Sequence, residues 1–194
     1  MPKTQYYTAT TIDGFIADAA NSLDWLFEVG SGRADENGSN PFGEFFADVG
    51  AFAMGATTYQ WVLDHEKLLD NPGKWHEFYG DVPAWVFTHR SLPPIPGATL
   101  HFVQGDVRPV HAAMTAAAGG KNLWVVGGGE LAGSFADAGL LDELILGVAP
   151  VTLGAGAPLL PRRLSAQRLS LSEVVRRGEF AYLTYAVGAP TADA

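Results

Sequence analysis

The clearest local signal in the chain is the segment Asn122-Leu-Trp-Val-Val-Gly-Gly-Gly-Glu-Leu131. Its first half is apolar and rich in residues that favour strands, which predicts a buried β-strand. Glycines then end the strand, and Leu131, Phe135 and Ala136 have the spacing of the apolar side of a helix that closes near Gly139. The segment therefore predicts a strand, a glycine-rich turn and a helix, the order that is typical of α/β proteins.

Similar signals recur on both sides of this segment. We predict strands over residues 3–11, 15–17, 51–55, 83–88, 99–103 and 140–148, helices over 41–50 and 107–118, and a polar surface loop over 30–41. Residues 168–175 and 180–187 alternate around Arg177-Gly178 and predict a C-terminal antiparallel hairpin. The fold class is therefore α/β, with a mixed, mostly parallel sheet and helices on both faces.

Length and composition limit the possible functions. A chain of 194 residues suits one domain, placed here over residues 1–188, with a disordered tail over 189–194. Twelve basic and 21 acidic residues give a net charge of −9, which argues against a nucleic-acid partner. There is no cysteine, the five histidines show no paired metal spacing, and no apolar run approaches membrane length. Without a secretory signal at residues 1–7, we expect a cytoplasmic protein with no metal site and no membrane partner.

Three groups of residues follow predicted strands and could bind a ligand. Gly127-x-Gly129-x-x-Ala132 and Met54-Gly55-Ala56-Thr57-Thr58 each lead into a helix, whose free N–H groups favour phosphate. Thr88-His89-Arg90 could hold a phosphate monoester. Each group also has an alternative without a ligand. The glycines could form a tight turn, a threonine after Gly55 could cap its helix, and Thr88-His89-Arg90 could be a solvated turn. Because parallel sheets bind ligands at the carboxyl ends of their strands, one groove could collect all three groups.

The ordered series of motifs resembles the dihydrofolate reductase-like superfamily, and most of all its bacterial branch with the C-terminal reductase domain of the riboflavin-biosynthesis deaminase-reductase. The resemblance covers roughly residues 4–187, and it implies a single-domain three-layer fold. It is carried by Ala9, Asp13-Gly14-Phe15-Ile16-Ala17, Leu23-Asp24-Trp25-Leu26, Met54-Gly55-x-x-Thr58, Val86-Phe87-Thr88-His89-Arg90, Val125-Val126-Gly127-Gly128-Gly129-Glu130-Leu131 and Pro150-Val151-x-x-Gly154-x-Gly156.

The resemblance implies NADPH as the cofactor, lying across the carboxyl edge of the sheet. It assigns Gly55, Thr57 and Thr58 to the pyrophosphate, Thr88, His89 and Arg90 to the adenosine and its 2′-phosphate, Gly127, Gly128, Gly129, Glu130 and Leu131 to a second phosphate-binding helix start, and Ala9 and Ile16 to the nicotinamide. It also implies a cis peptide bond between Gly127 and Gly128.

The chain departs from its relatives at three positions that matter for the substrate. The carboxylate that binds folate in dihydrofolate reductases has no match, because Glu28 comes too early after Trp25. Gly147 replaces the threonine that partners that carboxylate, and Gly127 replaces a glutamate of the riboflavin enzymes. The resemblance therefore implies neither folate nor the ribosylaminopyrimidine intermediate as the substrate.

These observations lead to the hypothesis of an NADPH-dependent reductase. It would transfer hydride to a C=N or C=O bond of a small planar heterocycle that resembles a pterin, a pyrimidine or a flavin. Tyr7, Trp25 and Phe46 are candidate walls for the flat ring, although each could be a core residue. Asp13 is the candidate proton donor, with ordered water and a purely structural Asp13 as alternatives.

A second hypothesis is a nucleotide-binding module that has lost catalysis and acts as an oligomeric scaffold or regulatory protein. The missing folate carboxylate favours it. A homodimer is expected in either case, because the resembling branch commonly dimerises and the terminal hairpin offers a sheet edge to a second subunit.

Overall fold

The computed structural model describes residues 2–30 and 40–190. The strands are β1 (Thr4–Thr11), β2 (Phe15–Ala17), β3 (Val49–Gly55), β4 (Ala84–Phe87), β5 (Leu100–Val103), β6 (Asn122–Gly127), β7 (Glu143–Ala149), β8 (Ala157–Pro158), β9 (Leu169–Arg177) and β10 (Phe180–Val187). The helices are α1 (Asp24–Glu28), α2 (Pro41–Phe46), α3 (Ala56–His65), α4 (Gly73–Tyr79), α5 (Val107–Ala117) and α6 (Gly129–Asp137). None of these helices combines the length and the apolarity that a bilayer crossing requires.

Eight strands form one sheet in the order β5-β4-β3-β6-β1-β7-β10-β9. The strands from β5 to β7 pair in parallel, and β10 pairs antiparallel with both β7 and β9. The short strands β2 and β8 form a separate antiparallel pair. The mixed, mostly parallel sheet and the C-terminal hairpin are therefore confirmed.

Helices cover both faces of the sheet, as the sequence predicts. On one face, Val110 and Met114 of α5 and Phe135 of α6 pack with inward residues of the central strands. On the other face, α3 and α4 contribute Tyr59 and Trp75 to a second cluster, and α2 adds partly buried aromatic residues. Both clusters hold large, fully buried side chains, so the sheet is the middle of three layers.

The helix predicted over residues 41–50 is shorter in the structure. It begins at Pro41 behind the Asn40 cap and ends at Phe46, and strand β3 already starts at Val49. Gly50 lies in that strand rather than closing the helix, because its backbone passes the end of α5. A Cβ atom there would lie 2.2 Å from the carbonyl oxygen of Ala118. Helix α4 is an element that the sequence pattern did not predict.

Two predicted segments fall partly or largely outside the described residues. Of the loop predicted over 30–41, residues 31–39 are not described, and the same holds for residues 191–194 of the predicted tail. The homodimer also stays a prediction. The edge strand β9 exposes Leu171 and Val174 by 54% and 61%, a surface that a second subunit could cover.

Candidate functional site

Two helix starts lie side by side at the carboxyl ends of neighbouring strands. Strand β3 leads through Gly55 into α3, and β6 leads through Gly128 into α6. Both N-cap residues are glycines, so no N-cap side chain accepts from the first N–H groups of either helix. A Cβ atom on Gly55 would lie 3.6 Å from the carbonyl oxygen of Gly127. The two partial positive charges therefore converge on one spot, which favours an anion.

The peptide bond between Gly127 and Gly128 is cis, as the resemblance implies. Gly127 itself has a φ of +147°, in the region that glycine adopts and other residues rarely do. Gly127 and Gly128 therefore form the predicted turn before α6.

Both helix starts open into one large cavity of about 1200 Å³. It lies over the carboxyl ends of the central strands, where ligands bind in α/β proteins. The predicted cofactor residues that line it are Ala9, Ile16, Gly55, Thr57, Thr58, Gly127, Gly128, Gly129, Glu130 and Leu131. The structure thus brings these ten residues together, although their role in binding NADPH stays a prediction.

Aromatic side chains form a wall of the same cavity. Tyr7, Phe42, Tyr79, Trp124 and Tyr182 line it. The Trp124 indole N–H donates to the Tyr7 carbonyl oxygen over 3.0 Å, and its ring meets Phe42 edge to face at 5.4 Å. Helix α2 lies over these strands and so supplies the cavity with its Phe42 ring. Flat rings of this kind suit a planar aromatic ligand.

A smaller groove of about 270 Å³ lies at the end of β4. Its lining includes Thr88, His89 and Arg90, three predicted cofactor residues that do not line the large cavity. Phe87, the residue before them, does line the large cavity. Because β4 is the neighbour of β3, the small groove lies at the same edge of the sheet as the helix start at Gly55, one strand away.

Ion pairs neutralise the carboxylates that face the large cavity. Glu130 accepts from the Arg162 guanidinium over 2.9 Å, and Arg162 also donates to Asp137 over 2.7 Å. The Glu179 carboxylate lies 3.7 Å from Arg176. These two are the carboxylates of the lining within residues 2–30 and 40–190, so the negative charge that would repel a phosphate is offset locally.

The family profile described as RibD C-terminal domain matches residues 2–181 of the chain. The chain belongs to the RibD C-terminal domain family. The match covers the sheet as far as the start of β10 and includes both helix starts of the cavity. This finding confirms the family that the motifs indicate.

Individual proteins resemble this chain over most of its length. The uncharacterized protein YwjB of Bacillus subtilis (strain 168) is 31% identical over 183 residues, which is 94% of this chain and 97% of that protein. A crystal structure of a "Putative riboflavin biosynthesis protein" from Shewanella sp. PV-4 has a TM-score of 0.72 at 25% identity and covers 95% of this chain and 98% of that one. Dihydrofolate reductase from Enterococcus faecalis, complexed with NADP(H), shares the fold at 13% identity, with a TM-score of 0.56 and coverage of 95% and 96%.

Two of the three predicted aromatic walls of this RibD C-terminal domain do not line the cavity. Trp25 does not line the cavity but is buried in a small cluster with Ala149 and Phe180. Phe46 packs against Phe52 and other rings of the core, whereas Phe42, one helical turn earlier, faces the cavity. Tyr7 does line the cavity, so of the three predicted walls it is the one at the site.

Asp13 is not placed to act as a proton donor. Its carboxylate lies outside the large cavity and accepts hydrogen bonds from the Thr11 hydroxyl and from the backbone N–H groups of Leu153 and Gly154. These bonds, that from Thr11 first, hold the pKa of Asp13 below its usual value, so the group is an ionised acceptor. Its role is to join two loops, and the catalytic assignment is corrected accordingly.

The reasoning from sequence missed the C-terminal hairpin as a part of the site. Tyr182 and the turn at Arg176, Arg177 and Gly178 line the cavity. The Arg177 guanidinium pairs with Glu44 of α2 over 3.1 Å, which ties the turn to the helix that carries Phe42. The alternation of apolar and polar residues in the hairpin predicts two faces, but it does not predict which face lines the cavity.

Proposed function

We propose that this protein is an NADPH-dependent reductase that transfers hydride to a C=N or C=O bond of a small planar heterocycle. The observation that carries this proposal is the meeting of two uncapped helix starts at one end of an aromatic-walled cavity. A dinucleotide needs such an anion site beside a slot for flat rings. The NADP(H) complex of the dihydrofolate reductase with the same fold supports the choice of cofactor.

The described residues have complementary tasks in this proposal. The N–H groups at the starts of α3 and α6 would bind the pyrophosphate, which a chain of net charge −9 cannot attract as a whole. Ile16 lies beside Gly128, with 3.8 Å between its Cδ1 atom and a Cβ atom placed on that glycine. Ile16 and Ala9 both line the cavity, and the nicotinamide would lie against them. When bound, NADPH supplies the hydride, and the protein supplies orientation and excludes water.

Arg90 is expected to distinguish NADPH from NADH. It is exposed in the groove beside β4, and none of the ion pairs described within residues 2–30 and 40–190 involves it. Loss of one guanidinium contact to a phosphate should weaken NADPH binding on the order of 10-fold in Arg90→Ala and leave NADH binding unchanged. Titration of the intrinsic fluorescence measures both affinities. Arg108→Ala, which removes a surface arginine paired with Asp106, is the control. An unchanged NADPH to NADH ratio would contradict the assignment.

The reductase activity itself is tested with a panel of pterins, flavins and quinones. We expect NADPH to be oxidised in the presence of at least one of these ring systems, at a rate that depends on the concentration of the added ring. NADPH consumption is followed by its absorbance under anaerobic conditions. Tight NADPH binding without turnover of any compound would contradict the proposal and favour the catalytically inactive scaffold or regulatory module.

A further inference from the structure

Three residues lie in a row across the floor of the cavity. Ala9 of β1 is the register partner of Gly147 of β7, and Gly147 is the register partner of Tyr182 of β10. Gly147 has no side chain, and the phenol of Tyr182 occupies the space above it. A Cβ atom on Gly147 would lie 3.3 Å from the ring carbon that bears the hydroxyl and 3.6 Å from the hydroxyl oxygen. The Tyr182 hydroxyl is thereby held one strand away from Ala9, at the expected nicotinamide end of the cavity.

Tyr7 supports this hydroxyl from the neighbouring position. The rings of Tyr7 and Tyr182 are stacked with centroids 6.4 Å apart. Burial raises the pKa of the Tyr7 phenol, and the neighbouring phenol of Tyr182 raises that pKa further. A Tyr7 phenol that stays protonated can donate to the Tyr182 oxygen. The proton of Tyr182 is then free to point at a ligand.

Acidic groups do not compete for this role in the described lining. The two carboxylates there, Glu130 and Glu179, face arginine side chains, and Asp13 lies outside the cavity. Among residues 2–30 and 40–190, the hydroxyl groups of the lining beside Ala9 and Gly147 include those of Thr8, Tyr7 and Tyr182, and the Thr8 hydroxyl already donates to the Ala9 carbonyl oxygen over 3.2 Å. A phenol can donate to a ring nitrogen or a carbonyl oxygen, the atoms at which hydride acceptors of the proposed substrate class need a proton.

We infer that Tyr182 is the catalytic proton donor of the proposed reduction and that Tyr7 is the residue that positions it, an inference that rests on the proposed function. The carbon of the C=N or C=O bond receives the hydride, and the π electrons of that bond move to nitrogen or oxygen. That atom takes the proton from the Tyr182 hydroxyl. The Tyr7 O–H stabilises the phenolate that forms, and water at the mouth of the cavity returns its proton. In the net reaction, NADPH, one proton and the substrate give NADP⁺ and the reduced substrate.

The test compares Tyr182→Phe with Tyr185→Phe. Tyr185 is a matched control three residues along the same strand, and its ring packs against the core cluster that contains α5 and α6. For a compound that the wild type reduces, we expect Tyr182→Phe to lower kcat by roughly 100-fold while the NADPH affinity stays unchanged. The solvent deuterium isotope effect on kcat should change in this variant. Tyr7→Phe should lower kcat less and leave KM nearly unchanged, because it acts through Tyr182. A kcat of Tyr182→Phe within about twofold of the wild type would overturn the assignment.

A second measurement separates this inference from the proposed function. The fluorescent rings 6-methylpterin and lumiflavin are titrated into each protein saturated with NADP⁺. We expect Tyr182→Phe, but not Tyr185→Phe, to bind such a ring about 10-fold more weakly, since one hydrogen bond to the ring is lost. If no compound is reduced but this difference is found, the reductase proposal fails while Tyr182 keeps its contact with the ring. Equal affinities in all three proteins, or no ring bound by the wild type, would overturn the role of Tyr182.

Discussion

We expect Gly55→Asp to weaken NADPH binding on the order of 100-fold without destabilising the protein. Gly55 is the N-cap of α3 and has extended backbone angles that aspartate adopts readily. The nearest atoms to its Cβ position are 3.6 and 3.7 Å away, which is ordinary contact, so the fold accepts the side chain. The new carboxylate would stand where the pyrophosphate is expected and would repel it. As a helix cap, however, it should stabilise the protein by a few tenths of a kcal/mol.

Gly55→Asn separates charge from size in this prediction. Asparagine caps a helix as well as aspartate does and has the same shape, but it carries no charge. We expect its NADPH affinity to lie between those of the wild type and Gly55→Asp. Calorimetric titration measures binding, and thermal unfolding measures stability. If Gly55→Asp binds NADPH as the wild type does, the phosphates do not lie between the two helix starts.

Gly129→Ala should destabilise the fold more than any other substitution considered above. A Cβ atom on Gly129 would lie 2.3 Å from the carbonyl oxygen of Pro158 and 2.6 Å from that of Leu159. That segment cannot easily move, because the Leu159 N–H donates to the Gly14 carbonyl over 2.9 Å and the Tyr6 hydroxyl donates to the Leu159 carbonyl over 3.0 Å. We expect a loss of about 3 kcal/mol in the free energy of unfolding, measured by denaturant titration.

The control for this substitution is Gly73→Ala at the start of α4. No atom lies within 4 Å of the Cβ position of Gly73, and its backbone is not in the left-handed region. Because alanine favours helices more than glycine does, this variant should be as stable as the wild type or slightly more so. If Gly129→Ala unfolds at the same denaturant concentration as Gly73→Ala, the segment at Pro158 moves aside without a loss of stability, and the prediction is wrong.

The parts of the site that could be predicted from sequence are those governed by local rules. A glycine between a buried strand and a helix predicts an accessible helix start, and parallel strands bring such starts to one edge. For this reason Gly55 and Gly127, which are far apart in the chain, were expected together and are found together. The antiparallel hairpin could be predicted as well, because alternation and a turn suffice for it.

The parts that could not be predicted depend on packing between distant elements. The spacing of Phe42, Phe45 and Phe46 marks the apolar side of α2, but it does not predict that all three rings pack against Trp124 of β6. The pairing of β10 with β7 turns Tyr182 toward the cavity, and the alternation of apolar and polar residues alone does not predict that pairing. Asp13 was misassigned for a related reason, because two of its hydrogen-bond donors, the N–H groups of Leu153 and Gly154, are 140 and 141 positions away in sequence.

The place of β1 in the sheet bears on how the chain is made. Both neighbours of β1 come late, since Thr4 pairs with Leu123 of β6 and Gln5 pairs with Glu143 of β7. During synthesis, the first strand therefore emerges long before either partner exists, and both of its edges stay open. Until β6 and β7 have left the ribosome, this polypeptide cannot close the centre of its sheet. It is in this interval that a nascent chain would depend most on a chaperone to shield that strand.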